Sequence, residues 1–167
     1  MNMIIRGGVL LGVLVTAYSW LFAFTGMHKR PGADITFIIV VTIIEIAVLV
    51  WALKKTAAQG RTWMGQVSAG TMLAFVGGSL IFATSYMLVT QLYPNYFAEA
   101  NVATEAAYRA GGMNDAAVQA AMAKLAAAQT PVANSVSGFV GTVLTGLILS
   151  AILGIWIRHK GPKGATA

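Results

Sequence analysis

Four long apolar runs dominate this chain, and each is long enough for an α-helix to cross a lipid bilayer. They cover roughly residues 7–27, 35–53, 66–91 and 132–157. A helix needs about 20 predominantly apolar residues to span a hydrocarbon core about 30 Å thick. A water-soluble domain of 167 residues has no room to bury four helices that are apolar on every side. The sequence therefore predicts an all-α integral membrane bundle of four transmembrane helices, with residues 1–167 forming a single membrane domain.

The composition excludes several classes of function. Only 10% of the residues are charged, against about 25% in typical soluble domains. The chain has no cysteine, which excludes disulfides, thiolate metal sites and cysteine nucleophiles. His28 and His159 have no partner at metal-ligand spacing, so we interpret both as interfacial residues. There is no H-E-x-x-H motif and no Gly-rich phosphate loop after a strand. We therefore expect no metal site, no cofactor and no enzymatic activity.

The basic residues predict the orientation of the bundle, because positively charged loops stay cytoplasmic. Four spans place both termini and the second connection on one side of the membrane. That side carries seven of the eleven lysines and arginines, namely Arg6, Lys54, Lys55, Arg61, Arg158, Lys160 and Lys163. The other side carries Lys29, Arg30, Arg109 and Lys124. We therefore expect both termini to be cytoplasmic, and the position of these charges at the ends of the apolar runs indicates lipid head groups rather than nucleic acid as the partner.

The connection between the third and fourth spans, about residues 92–131, is the one sizeable stretch outside the apolar runs. Its first half is alanine-rich and favours a helix, which the Gly111-Gly112 pair ends. Asn114 suits the N-cap of a second helix, and Thr130-Pro131 separates that helix from the fourth span. We predict an extramembrane helical hairpin that rests on the bundle or on the lipid surface. The alternative is a docking surface for a partner protein.

The fourth span carries a stripe of small residues along one helix edge, spaced four residues apart. The stripe consists of Gly138, Thr142, Gly146, Ser150 and Gly154. Helices in membranes associate through close packing and interhelical hydrogen bonds, and this small-xxx-small spacing supports both. The pattern predicts packing against another helix of the same bundle, and the alternative is a dimerisation face.

Glu45 is the only ionisable side chain deep inside any predicted span. A charge at the bilayer centre costs roughly 2.5–3.5 kcal/mol on insertion scales, so this carboxyl must face protein or water. In one hypothesis Glu45 hydrogen-bonds a hydroxyl on a neighbouring helix and stabilises the bundle, with Ser79, Tyr86 and Tyr18 as candidate partners. In the other hypothesis it carries protons or cations across the membrane.

Several segments give the chain a family resemblance. The most telling are GRTWMG at residues 60–65, QLYPNY at 91–96 and GGMND at 111–115, followed by the last span from Ser150 to Arg158 and the His159-Lys160 pair. With this order and spacing, the chain resembles a family of small bacterial four-span membrane proteins catalogued as domain of unknown function 4199. The resemblance covers nearly the whole length and implies a four-helix membrane domain of the bacterial inner membrane. It implies no activity and no functional residues.

Two functional hypotheses follow from these patterns. The first is a non-enzymatic structural or interaction component of a bacterial inner membrane, which packs with itself as a homo-oligomer or with another membrane protein. The alternative is a small transporter or channel that uses Glu45 for proton or cation coupling. A sensor of envelope state is a third hypothesis, and it rests only on the size of the predicted hairpin.

Overall fold

The computed structural model of this protein describes residues 3–30 and 32–158, and this part of the chain is all-helical. Its six α-helices are α1 (Met3–Phe24), α2 (Ala33–Ala57), α3 (Trp63–Met87), α4 (Tyr96–Ala110), α5 (Asp115–Ala128) and α6 (Pro131–Trp156). A 3₁₀ turn at Met27–Lys29 follows α1, and a π-helical turn at Leu88–Leu92 extends α3. His159, Lys160 and Lys163, which entered the sequence arguments above, lie outside the described residues.

Four of these helices are long and apolar enough to cross a membrane: α1, α2, α3 with its π-helical turn, and α6. They correspond to the four apolar runs and indicate a multi-pass membrane protein. The helices extend beyond the runs at several ends, and α2 shows the reason. Its first turn contains Asp34 and its last turn contains Lys54 and Lys55. These charges complement the helix dipole, so polar residues prolong the helix past its apolar core.

The predicted pair of short helices between the third and fourth spans is confirmed as α4 and α5. Gly112 lies in the turn between the two helices and adopts a φ of 83°, a left-handed conformation that glycine accommodates without a steric cost. The side chain of Asn114 caps α5 by accepting a hydrogen bond from the backbone N–H of Ala117 at 2.8 Å. Thr130 caps α6 in the same way through the N–H of Ala133 at 3.0 Å.

α3 lies between α1 and α6 and packs closely against both. On the α1 side, glycines bring the two backbones together. A Cβ added at Gly8 would lie 2.6 Å from the Val76 Cβ and 2.7 Å from the Leu73 carbonyl oxygen. No side chain larger than hydrogen fits there without a shift, so the absence of a Cβ permits the close approach.

On the α6 side, the predicted small-residue stripe faces α3 within the same chain. A Cβ at Gly146 would overlap the Cβ of Ala74, and a Cβ at Gly70 would overlap the hydroxyl of Ser150. Thr142, Gly146, Ser150 and Gly154 are buried, and Gly138 is half-buried. The stripe therefore gives α3 and α6 the same kind of close contact as the glycines of α1.

α2 packs differently, because it contains no glycine. Its C-terminal half is buried in the bundle through Val48, Leu49, Ala52, Leu53 and Thr56. Between residues 34 and 44 it has no buried residue. The N-terminal half of α2 therefore packs less closely than the C-terminal half, although Phe37 contacts the aromatic rings of α1, and Glu45 lies where the closely packed half begins.

A hydrogen-bond cluster around Gln66 holds the opposite end of the bundle together. The fully buried Gln66 side chain accepts a hydrogen bond from the Thr56 hydroxyl at 2.6 Å. It donates to the carbonyl oxygens of Leu53 at 3.1 Å and Ile157 at 3.0 Å. These bonds satisfy carbonyl groups at the C-terminal ends of α2 and α6. The bundle is therefore closed at this end.

Replacing Gly146 by alanine should destabilise the bundle, because the added methyl group would overlap the Ala74 side chain. Overpacking typically costs about 1–3 kcal/mol of unfolding free energy, so the thermal midpoint in a mild detergent should fall. The matched control is Gly141→Ala on the same helix, where an added Cβ has no neighbour within 4 Å and alanine is the better helix former. Equal midpoints for the two variants would contradict the close packing of α3 and α6.

Candidate functional site

A cavity of about 600 Å³ lies between the N-terminal half of α2 and the facing parts of α1, α3 and α6. The cavity lies here because the N-terminal half of α2 packs less closely against the other helices than its C-terminal half does. Polar side chains line it on all four helices, namely Ser19, Asp34, Thr42, Glu45, Ser85, Asn134, Ser137, Thr142 and Thr145. The rest of the wall is mainly aliphatic and aromatic. The cavity thus brings polar groups to the interior of an otherwise apolar bundle.

Glu45 lies at the inner end of this cavity and is only 2% exposed. Its Oε1 atom has no hydrogen-bond partner within residues 3–30 and 32–158. The atom lies 3.1 Å from the position that a Cβ on Gly146 would take, so the glycine provides room for the carboxyl group. A buried polar atom without a partner is destabilising. Such an atom in a native structure calls for an explanation.

None of the predicted partners bonds to Glu45 in the described part of the chain. The Ser79 hydroxyl donates to the carbonyl oxygen of Phe75 in its own helix at 2.9 Å. Tyr86 is exposed, and the Tyr18 hydroxyl is buried without a partner. The prediction of a hydrogen bond from Glu45 to one of these hydroxyls is therefore wrong. Tyr18 stacks on Phe37 instead, with ring centroids 5.5 Å apart.

The cavity presents hydrogen-bond acceptors and carboxyl groups. The Ser19 hydroxyl donates to the Val15 carbonyl oxygen at 2.8 Å, and the Thr142 hydroxyl donates to that of Gly138 at 2.9 Å. A hydroxyl whose proton is used in this way offers only lone pairs to the cavity. The ionisable lining groups are Asp34, Glu45 and Tyr96, and none of the lining residues is lysine, arginine or histidine.

Asp34 lies at the mouth of the cavity, exposed to solvent. It is eleven residues before Glu45 on the same helix, which corresponds to about 16 Å along the helix axis. Eleven residues are also close to three full turns, so both carboxyl groups project from the same face of α2. The cavity therefore carries one carboxyl group at each end.

A second polar cluster joins α4 to the turn between α1 and α2, and we call it the Glu99 cluster. Three side chains converge on the Oε2 atom of Glu99: the Tyr93 hydroxyl at 2.6 Å, the Lys29 Nζ at 2.9 Å and the His28 Nε2 at 3.1 Å. The hydrogen bonds from Lys29 and Tyr93 lower the pKa of Glu99 to about 2. The cluster holds the start of α4 against the α1–α2 turn.

Tyr96 connects the Glu99 cluster to the cavity. Its ring stacks on the buried His28 ring, with centroids 4.8 Å apart and planes at 23°, and it also lines the cavity near Asp34. Burial raises the pKa of the Tyr96 hydroxyl, and the negative charge of Asp34 raises it further. His28, which the sequence predicted to be an interfacial residue, is buried and positions the Tyr96 ring beside the cavity mouth.

The Glu99 cluster and the polar lining of α6 were missed by the sequence reasoning. His28 and Glu99 are 71 positions apart, and local sequence patterns do not predict contacts between residues that are so far apart in the chain. The serines, threonines and asparagine of α6 are common in transmembrane helices as packing residues. Their position beside Glu45 follows only from the tertiary structure.

Comparison with known proteins gives one match. A family model described as "Protein of unknown function (DUF4199)" matches residues 6–159, nearly the whole chain. No match was found among the curated proteins or among the solved structures.

Replacing Glu99 by glutamine should loosen α4, and the effect should depend on pH. Because the pKa of Glu99 is lowered from 4.5 to about 2, its stabilising contribution is complete above about pH 4.5 and is lost as the pH falls towards 2. Amide protection factors of α4, corrected for intrinsic exchange rates, should be lower in Glu99→Gln than in the wild type at pH 6, and the two should converge near pH 2.

The control for this experiment is Glu105→Gln, which removes a carboxylate from the exposed pair with Arg109 on the same helix. Exposed pairs of this kind contribute little, so this variant should keep wild-type protection at the start of α4. Unchanged protection in Glu99→Gln at pH 6 would show that the Glu99 cluster does not hold α4.

Proposed function

This chain belongs to the DUF4199 family of proteins of unknown function, and from its geometry we propose that it is a small membrane transporter that uses the carboxyl group of Glu45 for proton or cation coupling. The observation that carries the proposal is the buried carboxyl group of Glu45 at the inner end of a polar cavity, whose Oε1 atom has no hydrogen-bond partner in the part of the chain that the structure describes. Ionisable side chains inside a membrane usually mark substrate, ion or proton pathways.

The alternative, in which Glu45 only stabilises the bundle, is less well supported. That role requires a hydrogen bond from the carboxyl group to another helix, and no such bond is present among the described residues. Other polar contacts already join the helices, such as the Gln66 cluster and the hydrogen bond between the Thr16 and Thr84 hydroxyls at 2.8 Å. A carboxyl group that destabilises the resting bundle is better explained by a ligand that reaches it through the cavity.

The charge of the cavity supports a cation rather than an anion as the transported species. Among the described residues, Asp34 and Glu45 are its two carboxyl groups, and no basic side chain lines it. An anion would therefore meet no positively charged partner along this path. The lining hydroxyls of Ser19 and Thr142 offer acceptor atoms, which also suits a cation.

A transporter cycle fits the geometry better than an open channel. The cavity ends at Glu45, and beyond it α2 packs into the bundle through buried residues such as Leu49 and Leu53. The Gln66 cluster closes the far end. Passage to the other side of the membrane therefore requires a rearrangement of α2 against its neighbours, as in alternating access.

We also propose that the protein is not an enzyme. The cavity has serine and threonine hydroxyls, but no histidine or lysine lines it to act as their base. Nucleophilic catalysis by a hydroxyl needs such an activating group within hydrogen-bond reach. The described residues contain no group of three or more side chains suited to hold a metal ion.

The proposed location is a bacterial inner membrane with both termini in the cytoplasm and α4 and α5 outside the membrane as a helical hairpin. The described basic residues Arg6, Lys54, Lys55, Arg61 and Arg158 all belong to the closed end of the bundle or to the segments beside it. This distribution supports a cytoplasmic closed end. The cavity would then open towards the periplasm.

Assembly as a homo-oligomer or with a membrane-protein partner remains a prediction, which native mass spectrometry of the gently extracted protein tests.

Glu45→Gln should abolish transport while leaving the bundle folded. The purified protein is reconstituted in liposomes that contain a pH-sensitive dye, and proton movement is followed after a gradient of Na⁺, K⁺ or an organic cation is imposed. The wild type should produce a dye signal with at least one of these gradients, and Glu45→Gln should fall to the level of protein-free liposomes, because an amide cannot release a proton.

The control is Glu105→Gln, which makes the same change in the solvent-accessible ion pair with Arg109 on α4 and should keep wild-type flux. Thermal midpoints in detergent verify that both variants are folded. A wild-type signal equal to that of empty liposomes with every gradient would overturn the proposal. So would equal flux in the wild type and Glu45→Gln.

A further inference from the structure

We infer that the cavity binds an amphipathic organic cation, whose charged group pairs with Glu45 and whose apolar body contacts the walls formed by α1, α2 and α3. This inference rests on the proposed function and specifies the substrate class of the same site. Four observations carry it: the size of the cavity, its apolar and aromatic wall, the arrangement of its charges and its opening to the side of the bundle.

The size of the cavity is the first observation. At about 600 Å³ it falls within the range of about 300–1,000 Å³ that is usual for pockets of drug-sized ligands. A water molecule occupies about 30 Å³ in the liquid, and a bare inorganic ion is of comparable size. The space around Glu45 is therefore much larger than an inorganic ion requires.

The wall of the cavity is the second observation. Val15, Phe37, Ile81 and Leu88 line it and present hydrocarbon surface to its interior. Such a wall does not solvate an inorganic ion, but it favours the burial of an apolar ligand body. Phe37 is also held in place, since its ring packs against that of Phe22 at 5.2 Å. A fixed aromatic ring in the cavity wall favours an organic cation over an inorganic one through the ring quadrupole.

The arrangement of charge is the third observation. Glu45 is the one carboxyl group at the inner end, and Asp34 is about 16 Å away along α2. A Ca²⁺ ion needs six to eight oxygen ligands at short distance, and Mg²⁺ needs six in near-octahedral geometry. The cavity offers no such concentration of charged oxygen, and no metal-binding group of side chains occurs in the described parts of the chain. One carboxylate matches the single charge of an ammonium or phosphonium group.

The lateral opening is the fourth observation. Ile38 on α2 and Gly141 on α6 both line the cavity and are exposed at the bundle surface, so the gap between the two helices leads outward. An added Cβ at Gly141 has no neighbour within 4 Å, so this lining position has open space beside it. An amphipathic cation partitions into the bilayer interface and reaches this gap without crossing a polar barrier.

The test measures binding of tetraphenylphosphonium to the purified full-length protein in nanodiscs by equilibrium dialysis of the radiolabelled cation. The wild type should bind one equivalent above the background of empty nanodiscs. Glu45→Gln should weaken binding at least tenfold, because it removes the negative charge that pairs with the ligand. Phe37→Leu keeps an apolar side chain and removes the aromatic ring, so it should weaken binding roughly three- to thirtyfold. Glu105→Gln should bind as the wild type does.

A second variant keeps the test valid if Glu45→Gln fails to fold. Gly141→Leu enlarges a residue that lines the cavity at a position where an added Cβ has no neighbour within 4 Å. It should keep the wild-type thermal midpoint and lose tetraphenylphosphonium binding. Full binding by this variant would overturn the inference, as would equal binding by the wild type and a folded Glu45→Gln.

The outcomes separate this inference from the proposed function. If proton flux in liposomes depends on Glu45 with a Na⁺ or K⁺ gradient, and tetraphenylphosphonium does not bind, the organic cation is wrong and the coupling role of Glu45 stands. If the cation binds neither the wild type nor any variant and no flux depends on Glu45, both proposals are overturned. Binding that requires Glu45, Phe37 and the open gap at Gly141 supports the inference.

Discussion

Close contact between small residues on both sides of α3 is the constraint on which the rest of the structure depends. Glycines of α1 such as Gly8 bring one backbone against α3, and Gly146 and Ser150 bring α6 against the other side. Apolar burial does not drive association between helices in lipid, so this steric fit takes its place. α2 has no glycine and cannot approach α3 in the same way, so three helices pack tightly while the N-terminal half of the fourth packs against them without any fully buried residue between positions 34 and 44.

The candidate site is a consequence of this unequal packing. A cavity lies beside the less closely packed half of α2, and Glu45 lies at its inner end, where its Oε1 atom is next to Gly146 and has no partner among the described residues. The same glycine thus serves the contact with α3 and leaves room for the carboxyl group. The Glu99 cluster positions α4 beside the cavity mouth, and Tyr96 is shared by the cluster and the cavity lining. The close packing of the helices, the cavity and the Glu45 carboxyl group at its inner end therefore depend on one another.

Much of the fold follows from the sequence, because the physical signals involved are local. The lengths of the apolar runs predict the four long helices, and capping residues such as Asn114 predict where the shorter ones begin. Glu45 is recognisable because a carboxyl group is rare and costly at that depth. The cavity is not predictable in this way, because it depends on how the N-terminal half of α2 packs against the other helices. The pairing of His28 with Glu99, 71 positions apart, is likewise a property of the tertiary structure.

The most direct test of the account is the accessibility of a cysteine at the depth of Glu45, and the chain has no native cysteine to interfere. Thr145 lines the cavity, whereas Ile148 on the same helix is exposed outside the cavity. A cationic, membrane-impermeant thiol reagent is applied to sealed vesicles of each orientation. We expect Thr145→Cys to react from one side of the membrane only and Ile148→Cys to react from neither. No reaction at position 145, or equal reaction from both sides, would contradict a one-sided cavity that reaches Glu45.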